Sequence, residues 1–214
     1  MKNLFIFIIL LIPILSLNAQ EIGEIAPPKA PMSFPNNALG LDIMIGESGF
    51  GLGGFYRHHL SSDLTFFTDL SFSEAKDERE IEYYDYWGNP YVIGKKNRIF
   101  QVPINFGFQY RLFKNELTDN LRPYLNLGVG PAIVFTTPYG KEYFSAFGDA
   151  HMKLSAGGYV GFGANFGIDQ SSLIGLNMRY YYIGFFDDGV EGLFGKYKKS
   201  LQGFFVTLNI GFMY

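Results

Sequence analysis

His58 and His59 lie just before Ser61, Ser62 and Asp63, so one short stretch holds every residue type of a nucleophilic triad. In such a triad the base must touch the hydroxyl and the acid must touch the base. Neighbouring residues on a strand point to opposite faces, so the two histidines cannot serve one site. Ser-Ser-Asp is also ordinary turn chemistry. A turn is therefore expected here. His151, Asp149 and the Asp187-Asp188 pair offer nitrogen and oxygen ligands without the spacing of a metal site. Gly128 with Gly130 and Gly161 with Gly163 resemble phosphate loops only superficially, because no helix N-terminus follows either pair; on an inward strand face they are expected to make room for a large neighbour such as Tyr159, Tyr181 or Phe67 in a plugged, polar interior. No catalytic residue, cofactor or metal site is assigned, and the chain is not expected to be an enzyme. An acyl-modifying reading would need a Ser, a His and an acid converging at an outer rim.

Charges on otherwise apolar segments say more. Asp42, Asp69 and Arg179 each fall near the middle of an alternating run, on the face opposite its large apolar residues; Arg57 and Arg111 lie nearer one end. An unpaired charge inside a protein is costly, so the central three are expected to pair across a lumen. The segment 75–97 combines Asp77-Glu78-Arg79-Glu80 with a run of aromatics, and Gly88-Asn89 marks a hairpin tip that carries the chain's only tryptophan. Tyr84, Tyr86, Trp87 and Tyr91 are the candidate contact residues, since Tyr and Trp give large contact area at low entropic cost. An aromatic cap packed on neighbouring loops is the open alternative.

The elements that position these residues alternate with a period of two. From 204 to 214, Phe204, Val206, Leu208, Ile210, Phe212 and Tyr214 alternate with Phe205, Thr207, Asn209, Gly211 and Met213. Such a strand, about ten residues long, has the length and pattern that crosses a membrane in a closed barrel. Seven more runs behave alike: 39–45, 52–57, 64–73, 98–112, 122–135, 159–168 and 174–182. The fold class is thus all-β, an eight-stranded antiparallel transmembrane β-barrel. Short periplasmic turns are expected at 60–63, 113–120 and 169–172, and long outer loops at 75–97, 136–153 and 187–199. Glu47-Ser48-Gly49 is too short for that scheme, which leaves a merged or sheared first pair open. Pro103 lacks an N–H in mid-strand, and a bulge is expected beside it.

Lys2 followed by the apolar run Leu4–Leu17 and Asn18-Ala19-Gln20 reads as a secretory signal peptide over 1–19. Fourteen residues at 1.5 Å rise cover only ~21 Å of a ~30 Å hydrocarbon core, so the run is too short to span. Residues 20–37, with Pro27, Pro28, Pro31 and Pro35, read as a Pro-rich periplasmic lead-in, and 38–214 as the barrel. The chain has no cysteine, which removes disulfides, thiolate metal sites and cysteine nucleophiles. Without Lys2 it carries 16 basic and 20 acidic residues, an excess that argues against nucleic acid. With 26 glycines, 23 Phe and 15 Tyr but no other long apolar run, it suits a barrel better than helices.

Gln101-Val102-Pro103-Ile104, the stretch from Arg122-Pro123-Tyr124-Leu125 to Gly128-Val129-Gly130-Pro131, and the terminal Gly211-Phe212-Met213-Tyr214 resemble the outer-membrane protein beta-barrel domain family. This group takes in PorT-like proteins and, more distantly, small OmpA/OmpX-type barrels. The resemblance covers about 38–214 and implies a monomer in outer-membrane lipid of the bacterial envelope, inserted by the barrel-assembly machinery. The final aromatic resembles the insertion signal of such proteins. A structural or surface-interaction role through the outer loops, with a protein partner met there, is the expected function. A narrow porin-like pore or hydrophobic-ligand passage, as in OmpW-like barrels, and a place in a secretion apparatus, as for PorT-like members, are the alternatives.

Overall fold

The computed structural model describes residues 34–117, 121–167 and 171–214. The expected signal segment, most of the lead-in and parts of two short turns lie outside these residues. The elements are β1 (Asn37–Gly46), β2 (Gly49–His59), β3 (Leu64–Ala75), β4 (Glu82–Tyr84), β5 (Pro90–Val92), β6 (Asn97–Arg111), β7 (Leu121–Pro138), a 3-10 turn (Ser145–Asp149), β8 (His151–Phe166), β9 (Ser172–Phe185), β10 (Val190–Leu193), β11 (Lys196–Lys198) and β12 (Ser200–Met213). Eight of the strands close into an antiparallel barrel in the order β1-β12-β9-β8-β7-β6-β3-β2. Closure pairs every strand on both sides and leaves no sheet edge. The other two pairs, β4-β5 and β10-β11, are hairpins within the long loops.

The period of two sorts the side chains. Leu41, Leu70, Phe106, Leu127, Val160 and Ile210 stand on the outer wall, while Asp42, Asp69, Asn105, Asn126, Tyr159 and Asn209 are buried in the lumen. Three apolar groups fill that interior along its length. Ala38, Phe55, Leu173 and Met213 lie together toward the short turns, Met44, Phe67, Tyr159, Tyr181 and Phe205 form the middle, and Ile99, Val134, Ile183, Val190 and Leu201 pack toward the long loops. Inward glycines make the middle layer possible. A Cβ on Gly128 would stand 3.1 Å from the Phe67 ring and 3.2 Å from that of Tyr159.

Four details depart from, or decide between, the sequence readings. Glu47-Ser48 forms a tight turn with Gly46 opposite Gly49, so the first pair is a regular hairpin, neither merged nor sheared. Gly49 takes φ +121°, which side chains rarely adopt. No bulge accompanies Pro103: Leu70↔Ile104 and Ser73↔Gln101 keep one register on one side, as do Pro103↔Ala132 and Phe106↔Val129 on the other. The missing N–H interrupts the ladder locally without any inserted residue. β7 and β8 run on to Pro138 and back to His151, shortening the loop expected at 136–153. Finally Phe100, expected on the outer wall, is covered there by Phe72, Phe135 and Phe147, the last supplied by the 3-10 turn.

The barrel rim is cut on a slant. β1 and β2 have 10 and 11 residues and turn back at once, whereas β7 and β8, diametrically opposite in the strand order, have 18 and 16.

Candidate functional site

At mid-depth Arg179 of β9 faces Asp42 of β1 and Asp69 of β3. Its Nη2 lies 2.8 Å from Asp42 Oδ2 and its Nη1 3.8 Å from Asp69 Oδ2. All three are buried, with Arg179 only 1% exposed. The strands carry these residues inward because each occupies an odd position in a run whose even positions hold the apolar wall, or the converse. The aspartates are further satisfied by neutral donors. Asn105 Nδ2 donates to Asp69 Oδ1 at 2.7 Å, Tyr159 Oη donates to Asp69 Oδ2 at 2.7 Å, and Asn209 Nδ2 donates to Asp42 Oδ1. Tyr124 Oη donates in turn to Asn209 Oδ1 at 3.2 Å. Arg179 also lies over the Tyr159 ring, 5.0 Å from its centre. A buried charge held this way is neutralised and hydrogen-bonded on several sides, the condition for tolerating it in a dry interior. Asn105 and Asn209 were not singled out from sequence, and Tyr159 only as a large inward ring, not as a partner of Asp69. Their inward parity was readable, but their depth relative to Arg179 was not.

Tyr159 and Tyr181 lie 4.8 Å apart, Phe67 lies 5.9 Å from Tyr159, and Phe205 packs edge-on to Tyr181 at 5.7 Å. This aromatic layer occupies the same cross-section as the charges. Eight strands leave an interior about wide enough for such side chains. Toward the long loops, the β10-β11 hairpin folds back so that Val190 and Leu193 are buried. Asn97 Nδ2 donates to Glu191 O at 2.8 Å, and Lys96 pairs with Glu191. Their hydrogen bond holds the Glu191 carboxyl below its ordinary value, as the bond from Lys153 does for Asp187.

The second candidate lies on the 75–97 loop. β4 and β5 pair through Glu82↔Val92, Tyr83↔Tyr91 and Tyr84↔Pro90. Asp85 organises the tip: its Oδ1 accepts from the Trp87 and Asn89 amides at 2.8 Å each, and its Oδ2 accepts from Asn89 Nδ2 at 3.0 Å. These bonds, that of the Asn89 side chain foremost, hold the Asp85 carboxyl below the usual range. Gly88 adopts φ +81° to close the tip. Tyr86 and Trp87 are 94% and 82% exposed and pack edge-on against each other. Tyr84 and Tyr91 are exposed as well. The four aromatics are thus presented on a hydrogen-bonded tip. At its foot Lys95 meets Glu80 at 2.8 Å with both side chains buried, and Arg79 grips Asp77 through two nitrogens.

The triad-like residues do not converge. His58 Nδ1 bonds Asn37 and His59 Nδ1 bonds Thr65 Oγ1, each at 2.7 Å. Ser61 Oγ accepts from the amides of Asp63 and Leu64, as a turn serine does. Asp63 lies 3.0 Å from Lys114. Asp149 and Asp187 pair with Lys141 and Lys153, and the described residues contain no cluster able to hold a metal.

No family model matches the chain, and no curated protein matches it in sequence. Solved structures do. Neisserial surface protein A (NspA) is 13% identical with TM-score 0.54, over 86% of this chain and all of that one. The N-terminal β-barrel domain of Pseudomonas aeruginosa OprF is 13% identical with TM-score 0.47, over 84% and 98%. Ail, the attachment invasion locus protein of Yersinia pestis, is 12% identical with TM-score 0.42, over 82% and 95%. At this identity the likeness to NspA speaks for architecture alone: the chain is a closed eight-stranded antiparallel β-barrel of the kind found among small outer-membrane proteins.

Proposed function

We propose that this protein is a small barrel of the bacterial outer membrane, sealed across its lumen, with a structural or surface-interaction role exercised through its outer loops. One observation carries the reading: the cross-section at Arg179 is filled by paired charges and closely packed rings, while the aromatic tip at 84–91 stands exposed on a fixed hairpin. The apolar outer wall supports membrane residence, and the name of NspA, a surface protein, fits the same location. The lack of cysteine makes the test clean. Trp87→Cys on intact cells is expected to react with a membrane-impermeant maleimide, and Ser62→Cys to react only after the envelope is opened. The reverse pattern would invert the orientation and remove the exposed-loop role. A photo-crosslinking residue placed at 87 should then capture a partner that one at position 62 does not.

A further inference from the structure

The layer of Ala38, Phe55, Leu173 and Met213 does not fill the lumen out to its short-turn mouth. A cavity of about 420 Å³ opens there, bounded by Phe34, His59, Thr65, Gln109, Arg111 and Arg122. That volume falls in the usual ~300–1,000 Å³ range of small-molecule sites. Arg122 is 7% exposed, and its guanidinium carbon lies 3.7 Å from the centre of the Phe34 ring. Among the described residues neither its Nε nor its Nη2 has a hydrogen-bond partner. Arg111, one strand away on β6, donates from Nη2 to Leu117 O at 3.0 Å and leaves its Nε unpartnered. Buried Arg57 stands behind the wall and donates to the cavity-lining Asn165 at 3.1 Å. Among the described residues the carboxylate on the cavity is Asp63, and Lys114 lies 3.0 Å from it.

Three guanidiniums therefore gather at one mouth with no carboxylate of their own among the described residues. Buried cations in that state are costly unless an anion joins them. Planar guanidinium forks match tetrahedral oxyanions, and stacking on a ring leaves the fork's edge free for such a ligand. We propose that this chamber is an anion site that takes a phosphate group, either free or at the head of a phospholipid, with Arg122 as its main ligand and Arg111 as the second. His59, Thr65 and Gln109 supply neutral polar contacts to whatever the phosphate carries. The site lies at the opposite end of the barrel from the aromatic tip and does not depend on that tip's role.

Two probes distinguish the sources. The purified full chain in non-ionic detergent is titrated calorimetrically with inorganic phosphate. In parallel, native mass spectrometry follows retention of phosphatidylglycerol after extraction from vesicles of phosphatidylglycerol and phosphatidylcholine. Arg122→Gln should weaken binding of the active probe at least tenfold and Arg111→Gln severalfold. Each variant's folded state is checked by gel mobility before and after heating, and Arg111→Gln serves if Arg122→Gln fails to fold. Binding of inorganic phosphate marks a soluble phosphate ligand; retention of lipid alone marks a headgroup. Failure of wild-type protein to bind either probe, or equal binding by wild type and the folded variants, overturns the site.

Discussion

Arg179 meets two carboxylates, so removing it differs from removing either of them. Arg179→Met should leave Asp42 and Asp69 buried without their cation, a loss of about 3–5 kcal/mol by the usual cost of breaking a buried pair. Adding Asp42→Asn and Asp69→Asn should recover part of that loss, because no orphaned charge then remains. Urea unfolding followed by gel mobility measures both, and strictly additive losses would show that the three charges do not interact. The period of two alone put Asp42, Asp69 and Arg179 on the inward face. It could not supply Tyr159 or Asn105 as their partners, since parity gives the face of a residue while depth depends on the stagger between strands. Arg122 escaped notice for a related reason: its neighbours Leu121 and Pro123 blur the start of β7, and nothing local tells that Phe34 lies under it.

Strands were readable where large apolar and polar residues alternate, as in β12, and were cut short where they do not. The first half of β8 runs through Lys153, Ser155, Gly157 and Gly158, whose small or polar side chains hide the pattern although the pairing with β7 continues to His151↔Thr136. Hairpins within loops have their own energetics. Asp187 and Glu191 have carboxyls depressed by Lys153 and Lys96 respectively. A depressed folded pKa means that the stabilisation is present above the ordinary carboxylate value of about 4 and is lost as pH falls through the folded value. Amide-exchange protection in 190–198 should therefore hold from neutral pH to about 4 and drop below it, whereas a pH-independent profile would exclude these pairs as its source. The β4-β5 hairpin is a different case, because its tip packs on itself. Deleting 82–92 should leave the barrel's unfolding free energy within about 0.5 kcal/mol, as for surface changes that touch no core. A large loss would make the hairpin a cap.

For the whole molecule, the count of eight strands and their pairing followed from periodicity plus turn spacing, because closure demands an even meander and the short connections sit where such a meander needs them. The filled lumen was readable in part: the inward glycines mark room for Phe67, Tyr159 and Tyr181, but that rings from β3, β8, β9 and β12 meet at one height depends on the stagger between strands. Such a plug predicts that the purified protein in a planar bilayer passes no more than trace current, and that Arg179→Ala, where it still folds, raises it. Stable wild-type channels would favour a pore.

In the membrane setting proposed above, the uneven rim would also act on the surrounding lipid. The outward side chains of β8 stay apolar from Met152 to Phe166, and Met152 and Leu154 are bare. On the opposite side the apolar wall stops at Ile45 and Phe50, beside a two-residue turn. The greasy band around the barrel is therefore taller on one flank, and a bilayer of uniform thickness cannot match both. It must thicken locally at β7-β8, or the barrel must lean until the two flanks are level. A leaning barrel would swing its aromatic hairpin sideways over the membrane plane. Spin labels at positions 45 and 154 would then report similar immersion depths, where an upright barrel would hold them well apart.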